Sequence, residues 1–207
     1  MNGLRSVFSL YILVSLLVVA SRAAERVERL VNLSSRANVG VGAQAMVAGF
    51  IVGEGAPKQI LIRAVGPSLA QFPGLADLAL KKPYLEVFDH RGAKLFENTS
   101  WRRGTFGTLA TAADFASVGA FSLVSDEDAA LLVTLAPGAY TAQVSAENRG
   151  VGLIEVYDVS GNARLLNLST RAQLQSPSDI VISGLVVASG AAPKRLLVRA
   201  MGPSLTR

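Results

Sequence analysis

The chain has 207 residues, a formal net charge of +5, no cysteine and one histidine. Without cysteine there is no disulfide stapling, no thiolate metal site and no lipidated cysteine, and a single histidine leaves too few ligands for a zinc centre. The basic residues are scattered rather than gathered on one stripe, so the charge carries no nucleic-acid footprint.

Residues 1–23 read as an export signal. Met1–Arg5 is basic, Val7–Ala20 is almost wholly apolar, and Ser21-Arg22-Ala23 offers small residues for cleavage before Ala24. This is the three-part pattern of a secretory signal, and the apolar run falls short of the roughly 20 residues that span a bilayer. Cleavage would remove Arg5 and Arg22 and no acid, leaving a charge of +3 and no membrane span.

Most of the chain beyond residue 23 predicts strands. Arg29–Arg36 is the first. Ala45–Val52 and Gln59–Val65 are apolar runs separated by the breaker-rich Gly53-Glu54-Gly55-Ala56-Pro57-Lys58, as expected of strands with one or both faces buried. Gly66-Pro67-Ser68-Leu69 ends a strand, with Ser68 expected to cap a short helical turn. Tyr84–Asp89 and Lys94–Asn98 flank Asp89-His90-Arg91-Gly92, a turn whose glycine suits positive φ. Thr108–Val118 is Ala-rich, with Leu109, Ala112, Ala113 and Ala116 at helical spacing, and predicts one short helix. Ala130–Leu135, Ala139–Ala146 and Leu153–Val159 complete the set; in the second, Tyr140, Ala142 and Val144 alternate with Thr141, Gln143 and Ser145, the period of a half-buried strand. Turn signals recur every 8–15 residues. The expected fold is all-β: an antiparallel β-sandwich, jelly-roll or immunoglobulin-like, with one short helix.

The chain also repeats itself. Arg29-Leu30-Val31-Asn32-Leu33-Ser34-Ser35-Arg36 returns 135 positions later as Arg164-Leu165-Leu166-Asn167-Leu168-Ser169-Thr170-Arg171. Gly49-Phe50-Ile51-Val52 returns as Gly184-Leu185-Val186-Val187, and the run from Ala56 to Leu69 returns, 136 positions on, as Ala192 to Leu205. A period of this length is a whole domain rather than a solenoid unit. The expected organisation is a signal at 1–23, a complete module at 24–163 and the first three strands of a second copy at 164–207. Unpaired strands of that kind invite pairing with another chain, so further modules of the chain, or self-association through 164–207, are expected.

These motifs resemble a module repeated in large exported or cell-surface bacterial proteins, often alongside immunoglobulin-like domains. The strings that carry the resemblance are Asn-Leu-Ser-Ser/Thr-Arg, Gly-Phe-Ile-Val, Arg63-Ala64-Val65-Gly66-Pro67-Ser68-Leu69, Pro137-Gly138-Ala139-Tyr140-Thr141 and Glu155-Val156-Tyr157-Asp158. They cover residues 29–163 fully and 164–207 in part. The resemblance implies an extracellular, non-catalytic module and supplies no catalytic residue, cofactor or ligand.

Little in the chain suggests catalysis. His90 sits in a turn, and Gly66-Pro67-Ser68-Leu69 lacks the second glycine of a nucleophile elbow. Asn38-Val39-Gly40-Val41-Gly42 fails the dinucleotide fingerprint. The best acidic cluster is Ser125-Asp126-Glu127-Asp128, read as a solvated loop rather than a calcium site; Asp89 and Asp158 are read as turn residues. Arginines on apolar strands need partners, so Arg36, Arg63, Arg171 and Arg199 are assigned structural roles with backbone carbonyls or a carboxylate such as Glu86 or Glu155. Gly66, Pro67, Gly202 and Pro203 are assigned to the recurring turn. Trp101, in the polar loop Thr99–Gly104, is the best exposed contact for a surface glycan or protein, with Arg102 and Arg103 beside it. The expected function is a structural or adhesive repeat module; the alternative is a carbohydrate-binding module attached to a hydrolase, and the exposure of Trp101 separates the two.

Overall fold

The structure, a computed structural model, describes residues 29–104, 108–188 and 193–206. The expected export signal lies outside them. The strands are β1 (Arg29–Val39), β2 (Met46–Val52), β3 (Lys58–Val65), β4 (Tyr84–Asp89), β5 (Lys94–Asn98), β6 (Thr108–Leu109), β7 (Ala129–Leu135), β8 (Gly138–Ser145), β9 (Gly150–Ser160), β10 (Leu165–Arg171) and β11 (Ile182–Ala188). Among the described residues the one α-helix, α1 (Ala112–Ser117), lies between β6 and β7.

The strand pairs are all antiparallel, and they form one continuous ladder rather than two separate sheets. Its order is β5-β4-β8-β2-β10-β1-β9-β3-β7-β6, with β11 paired to β1. The ladder curls until its ends approach. Asn98, the last residue of β5, accepts a bond from the Ala130 amide of β7 on Oδ1 at 3.1 Å and donates from Nδ2 to the Arg103 carbonyl at 3.2 Å. Three residues on, the Trp101 amide bonds the Asp128 carbonyl at 2.7 Å. The expected sandwich thus appears as a nearly barrel-like sheet, stitched shut by side-chain and loop bonds instead of a final strand pair.

The apolar runs explain the layers. In β3, Ile60, Ile62 and Ala64 enter the interior with Met46, Phe50, Val87, Leu131, Val144 and Val156. The alternate residues Leu61 and Val65 face outward, into a second cluster with Leu69, Phe115, Leu123 and Tyr157. A strand buried on both faces is apolar on both, which is why Gln59–Val65 shows no alternation, and the one charged side chain within it, Arg63, is buried against a partner. In β2 and β8 burial alternates instead, because only one face meets the core. Each fully buried Leu, Ile or Phe contributes about 1.5–3 kcal/mol relative to exposure.

The helix is shorter than the expected Thr108–Val118 and turns a different face inward. Thr111 is its N-cap, and Thr111 and Asp114 form a reciprocal capping box, the device that fixes a helix start. Thr108 and Leu109 instead pair with Leu132 and Leu131 of β7. Ala112, Ala113 and Ala116 face solvent, while Phe115 is buried. A large aromatic outweighs an alanine stripe because it removes far more apolar surface from water.

The second occurrence of the repeat does not build a separate body. Its first two strands, β10 and β11, join the sheet of the first occurrence. Its expected third strand does not form: residues 193–200 pair with no other strand, and a 3-10 turn at Pro203–Thr206 follows. Ile60, Leu61 and Ile62 are fully buried, whereas their counterparts Leu196, Leu197 and Val198 are exposed, Leu197 to 86%.

Candidate functional site

Three groups of polar residues stand out against the apolar core. The first is centred on Arg63 of β3, which is fully buried. Its Nε lies 2.9 Å from Glu155 Oε2 on β9, its NH1 donates to the Phe121 carbonyl at 2.6 Å, and the guanidinium sits over the rings of Phe115 and Phe121, 4.9 and 4.5 Å from their centroids. Tyr157 Oη donates to Glu155 Oε1 at 2.8 Å. The cross-strand register sets Arg63 opposite Glu155, so the expected pairing of Arg63 with a carboxylate is met by Glu155. Burial pushes the Glu155 carboxyl up, opposed by Arg63 and the Tyr157 hydroxyl. Burial, reinforced by Glu155, also raises the Tyr157 phenol.

Further along the same two strands, Lys58 and Asp158 are both buried, with Nζ 2.7 Å from Oδ1. Lys58 also donates to the Ser160 and Gly161 carbonyls. Asp158 is therefore a core ion-pair residue and not a turn residue. Glu86-Val87-Phe88-Asp89 is similar in sequence to Glu155-Val156-Tyr157-Asp158 but sits in a different environment. Glu86 pairs with Lys94 at the surface, and Asp89 accepts the Arg91 and Ala93 amides of its turn.

The second group holds the Gly-Pro-Ser-Leu turn. Asp128 is fully buried. It accepts bonds from the Gly66 amide at 2.7 Å, the Ser68 amide at 3.2 Å and the Ser68 hydroxyl. The Ser68 Oγ in turn accepts from the Val124 and Ser125 amides at 2.8 and 3.2 Å. Ser68 lies inside the 3-10 turn Pro67–Gln71, with Gly66 at its N-cap and Pro67 in its first turn. It thus ties the turn to the 124–128 segment rather than capping it, and its donor and lone pairs are all engaged. Burial raises the Asp128 carboxyl, and its bonds to Ser68 and Gly66 oppose that. Of the acidic cluster, only Asp126 and Glu127 behave as a solvated loop; they pair with Arg102 and Lys82.

The expected contact loop divides. Trp101 is 8% exposed, its ring 5.3 Å from that of Phe115, and its Nε1 donates to the Ser125 carbonyl at 2.9 Å. It therefore serves the outer core and is not the exposed platform expected from its polar neighbours. The Arg102 guanidinium covers it at 4.6 Å. Arg103 is exposed and lines an open crevice of about 770 Å³ with Tyr84, Asn98, Ser100 and Glu147. Among the described residues no group of three or more His, Asp or Glu could hold a metal.

The third group lies at a seam that sequence reasoning missed. β1 and β2 are consecutive, yet β2 pairs with β10 and β1 with β11. The two pairings are equivalent under the repeat. Ser169 lies opposite Gly49, and Ser34 opposite Gly184; Arg171 opposite Val47, and Arg36 opposite Ile182; Leu168 opposite Phe50, and Leu33 opposite Leu185. Each first strand takes the other occurrence's second strand in one common register. The contacts on the seam also join equivalent residues: Leu30 with Leu165, and Ser35 Oγ with Thr170 Oγ1 at 2.6 Å. Ser183 Oγ completes this cluster, 2.8 Å from Ser35. Gly49 and Gly184 recur because a serine side chain crosses over each: an added Cβ would come within 2.7 Å of Ser169 Oγ or 3.1 Å of Ser34 Oγ.

Residues 172–180, between β10 and β11, are fastened by Asp179. It accepts from Asn38 at 2.7 Å, from Arg149, and from the Gln175 and Ser176 amides; these bonds, the Gln175 amide first, hold its carboxyl below the usual carboxylate range. The other assigned arginines fare differently from Arg63. Arg36 is half-buried beside a second crevice, whereas Arg171 and Arg199 are exposed, so the two occurrences place their equivalent arginines in different environments. Gly202-Pro203 repeats the turn of Gly66-Pro67, with Leu205 N bonded to Gly202 O at 3.0 Å as Leu69 N is to Gly66 O at 2.9 Å. That turn is encoded locally, since it forms in both a buried and an exposed setting.

Among the described residues, no helix is long and apolar enough to cross a membrane. Comparison with protein-family models, curated proteins and solved structures finds no match.

Proposed function

We propose that this chain is a non-catalytic structural or adhesive repeat module of an exported or cell-surface protein, in which one repeat is joined to the next through shared strands. In finer terms, we read the curled sheet as a flattened sandwich of immunoglobulin-like or jelly-roll kind. Its β5-β4-β8-β2-β10 half faces its β1-β9-β3-β7-β6 half across one core. The observation that carries the reading is the reciprocal pairing of β1 with β11 and β10 with β2. A module whose sheet is completed by strands of the following repeat is built for mechanical continuity. The sequence of residues 1–23 and the family resemblance support export. The carbohydrate-binding alternative is weakened because Trp101, its aromatic anchor, is packed against Phe115.

The test has two parts. The full chain is expressed in a bacterial host, and the product is fractionated and its N-terminus determined; the expected product is exported and begins at Ala24. The processed protein is then titrated with a panel of oligosaccharides. Retention in the cytoplasm with residues 1–23 intact overturns the export reading. Saturable sugar binding that is lost in Arg103→Ala overturns the structural reading in favour of the carbohydrate-binding one.

A further inference from the structure

We propose that the seam between β1 and β2 is an acceptor for the β10–β11 arm of a second copy of this chain, so that two chains exchange arms and form a strand-exchanged dimer. Such an exchange concerns strand pairing alone and is independent of what the module does.

Three observations carry it. First, the register of β10 on β2 and of β11 on β1 is one register used twice, so an arm from another chain makes the same bonds as the chain's own. When intra- and intermolecular contacts are identical, the balance is set by linker geometry and concentration. Second, the link between β9 and β10 is only 161–164, and it contains Gly161 at φ 99. Short connections of this kind are where domain swapping is found. Third, the arm is only partly satisfied where it lies. Leu165 is buried, and Leu168 and Ala172 pack on the core, but Ile182, Leu185 and Val186 of β11 remain 44–51% exposed. A second chain offers that apolar face further surface to cover.

The absence of cysteine makes the experiment clean. Ser35 and Ser183 face each other with Oγ atoms 2.8 Å apart, so full-length chain carrying both Ser35→Cys and Ser183→Cys should form a disulfide within the chain or between exchanged chains. Chains carrying Ser35→Cys alone and chains carrying Ser183→Cys alone are then mixed, incubated and oxidised. The expected result is a heterodimer in severalfold excess over either homodimer, its yield falling on dilution before oxidation, with a dimer in light scattering of the unmodified chain. Ala48→Cys and Thr170→Cys, the equivalent pair of the other half of the seam, should behave alike. If the double variant closes within the chain while neither mixture gives a heterodimer, the arm stays on its own body and the proposal fails. It fails equally if Ser35→Cys pairs within one chain with Ala48→Cys, because β1 then closes on its own β2.

Discussion

Arg63 and Glu155 are an ion pair whose two halves are not equivalent. Arg63 keeps a carbonyl and two aromatic faces if Glu155 loses its charge, whereas Glu155 without Arg63 keeps only the Tyr157 hydroxyl. Breaking a buried pair so that one charge is stranded costs about 3–5 kcal/mol. Arg63→Met is therefore expected to lose about 3 kcal/mol or more in urea unfolding at neutral pH. Glu155→Gln should be neutral or slightly stabilising. The pH dependence follows from the raised Glu155 carboxyl. The folded state keeps that proton to higher pH than the unfolded state, so the wild-type contribution is fully present below the ordinary carboxylate range and falls as pH rises through the folded value. Wild type and Glu155→Gln should converge in acid and separate toward neutrality, with the variant at least as stable there. A loss above about 2 kcal/mol for Glu155→Gln at neutral pH would show that the charged pair is net stabilising.

At the scale of elements, the repeated turn offers a controlled comparison. A Cβ on Gly66 would collide with the Leu80 carbonyl, which is backbone and cannot swing away, whereas a Cβ on Gly202 would meet nothing within 4 Å. Overpacking a buried site costs about 1–3 kcal/mol, and open surface sites usually change stability by less than about 0.5 kcal/mol. Gly66→Ala should fall in the first class and Gly202→Ala in the second, read from urea midpoints; equal effects would mean that the second turn is packed in solution. The same elements show what the sequence made legible. β3 and β8 were readable because burial on two faces or one leaves a distinct apolar period. Asp128 was not, because its partners, Gly66 and Ser68, are about 60 residues upstream and no local pattern marks a carboxylate that accepts distant amides. Trp101 misled because its polar neighbours belong to a thin loop laid over the outer cluster. The pairing of β1 with β11 and of β10 with β2 could not be read, since a repeated motif offers β1 two partners of matching sequence and register.

At the scale of the whole molecule, sequence equivalence does not confer equivalent stability. The same apolar string is sealed between β7 and β9 in β3 and lies open at 195–201. Amide exchange follows the free energy of local opening, so hydrogen-exchange mass spectrometry should place Gln59–Val65 among the slowest segments and 195–201 among the fastest. The arm belongs between them, because Asp179 fastens it to Asn38 and Arg149. Asp179→Ala should raise exchange in β10 and β11 several-fold and leave β3 and β9 unchanged. Acid should act in the same direction. The Asp179 carboxyl is held low, so its hold on the arm is present above the ordinary carboxylate range and lost as pH falls toward its folded value. If Asp179→Ala instead loosens β3 and β9 in step with the arm, body and arm unfold as one cooperative unit, and the second occurrence is as much a part of the first module's core as its own strands are.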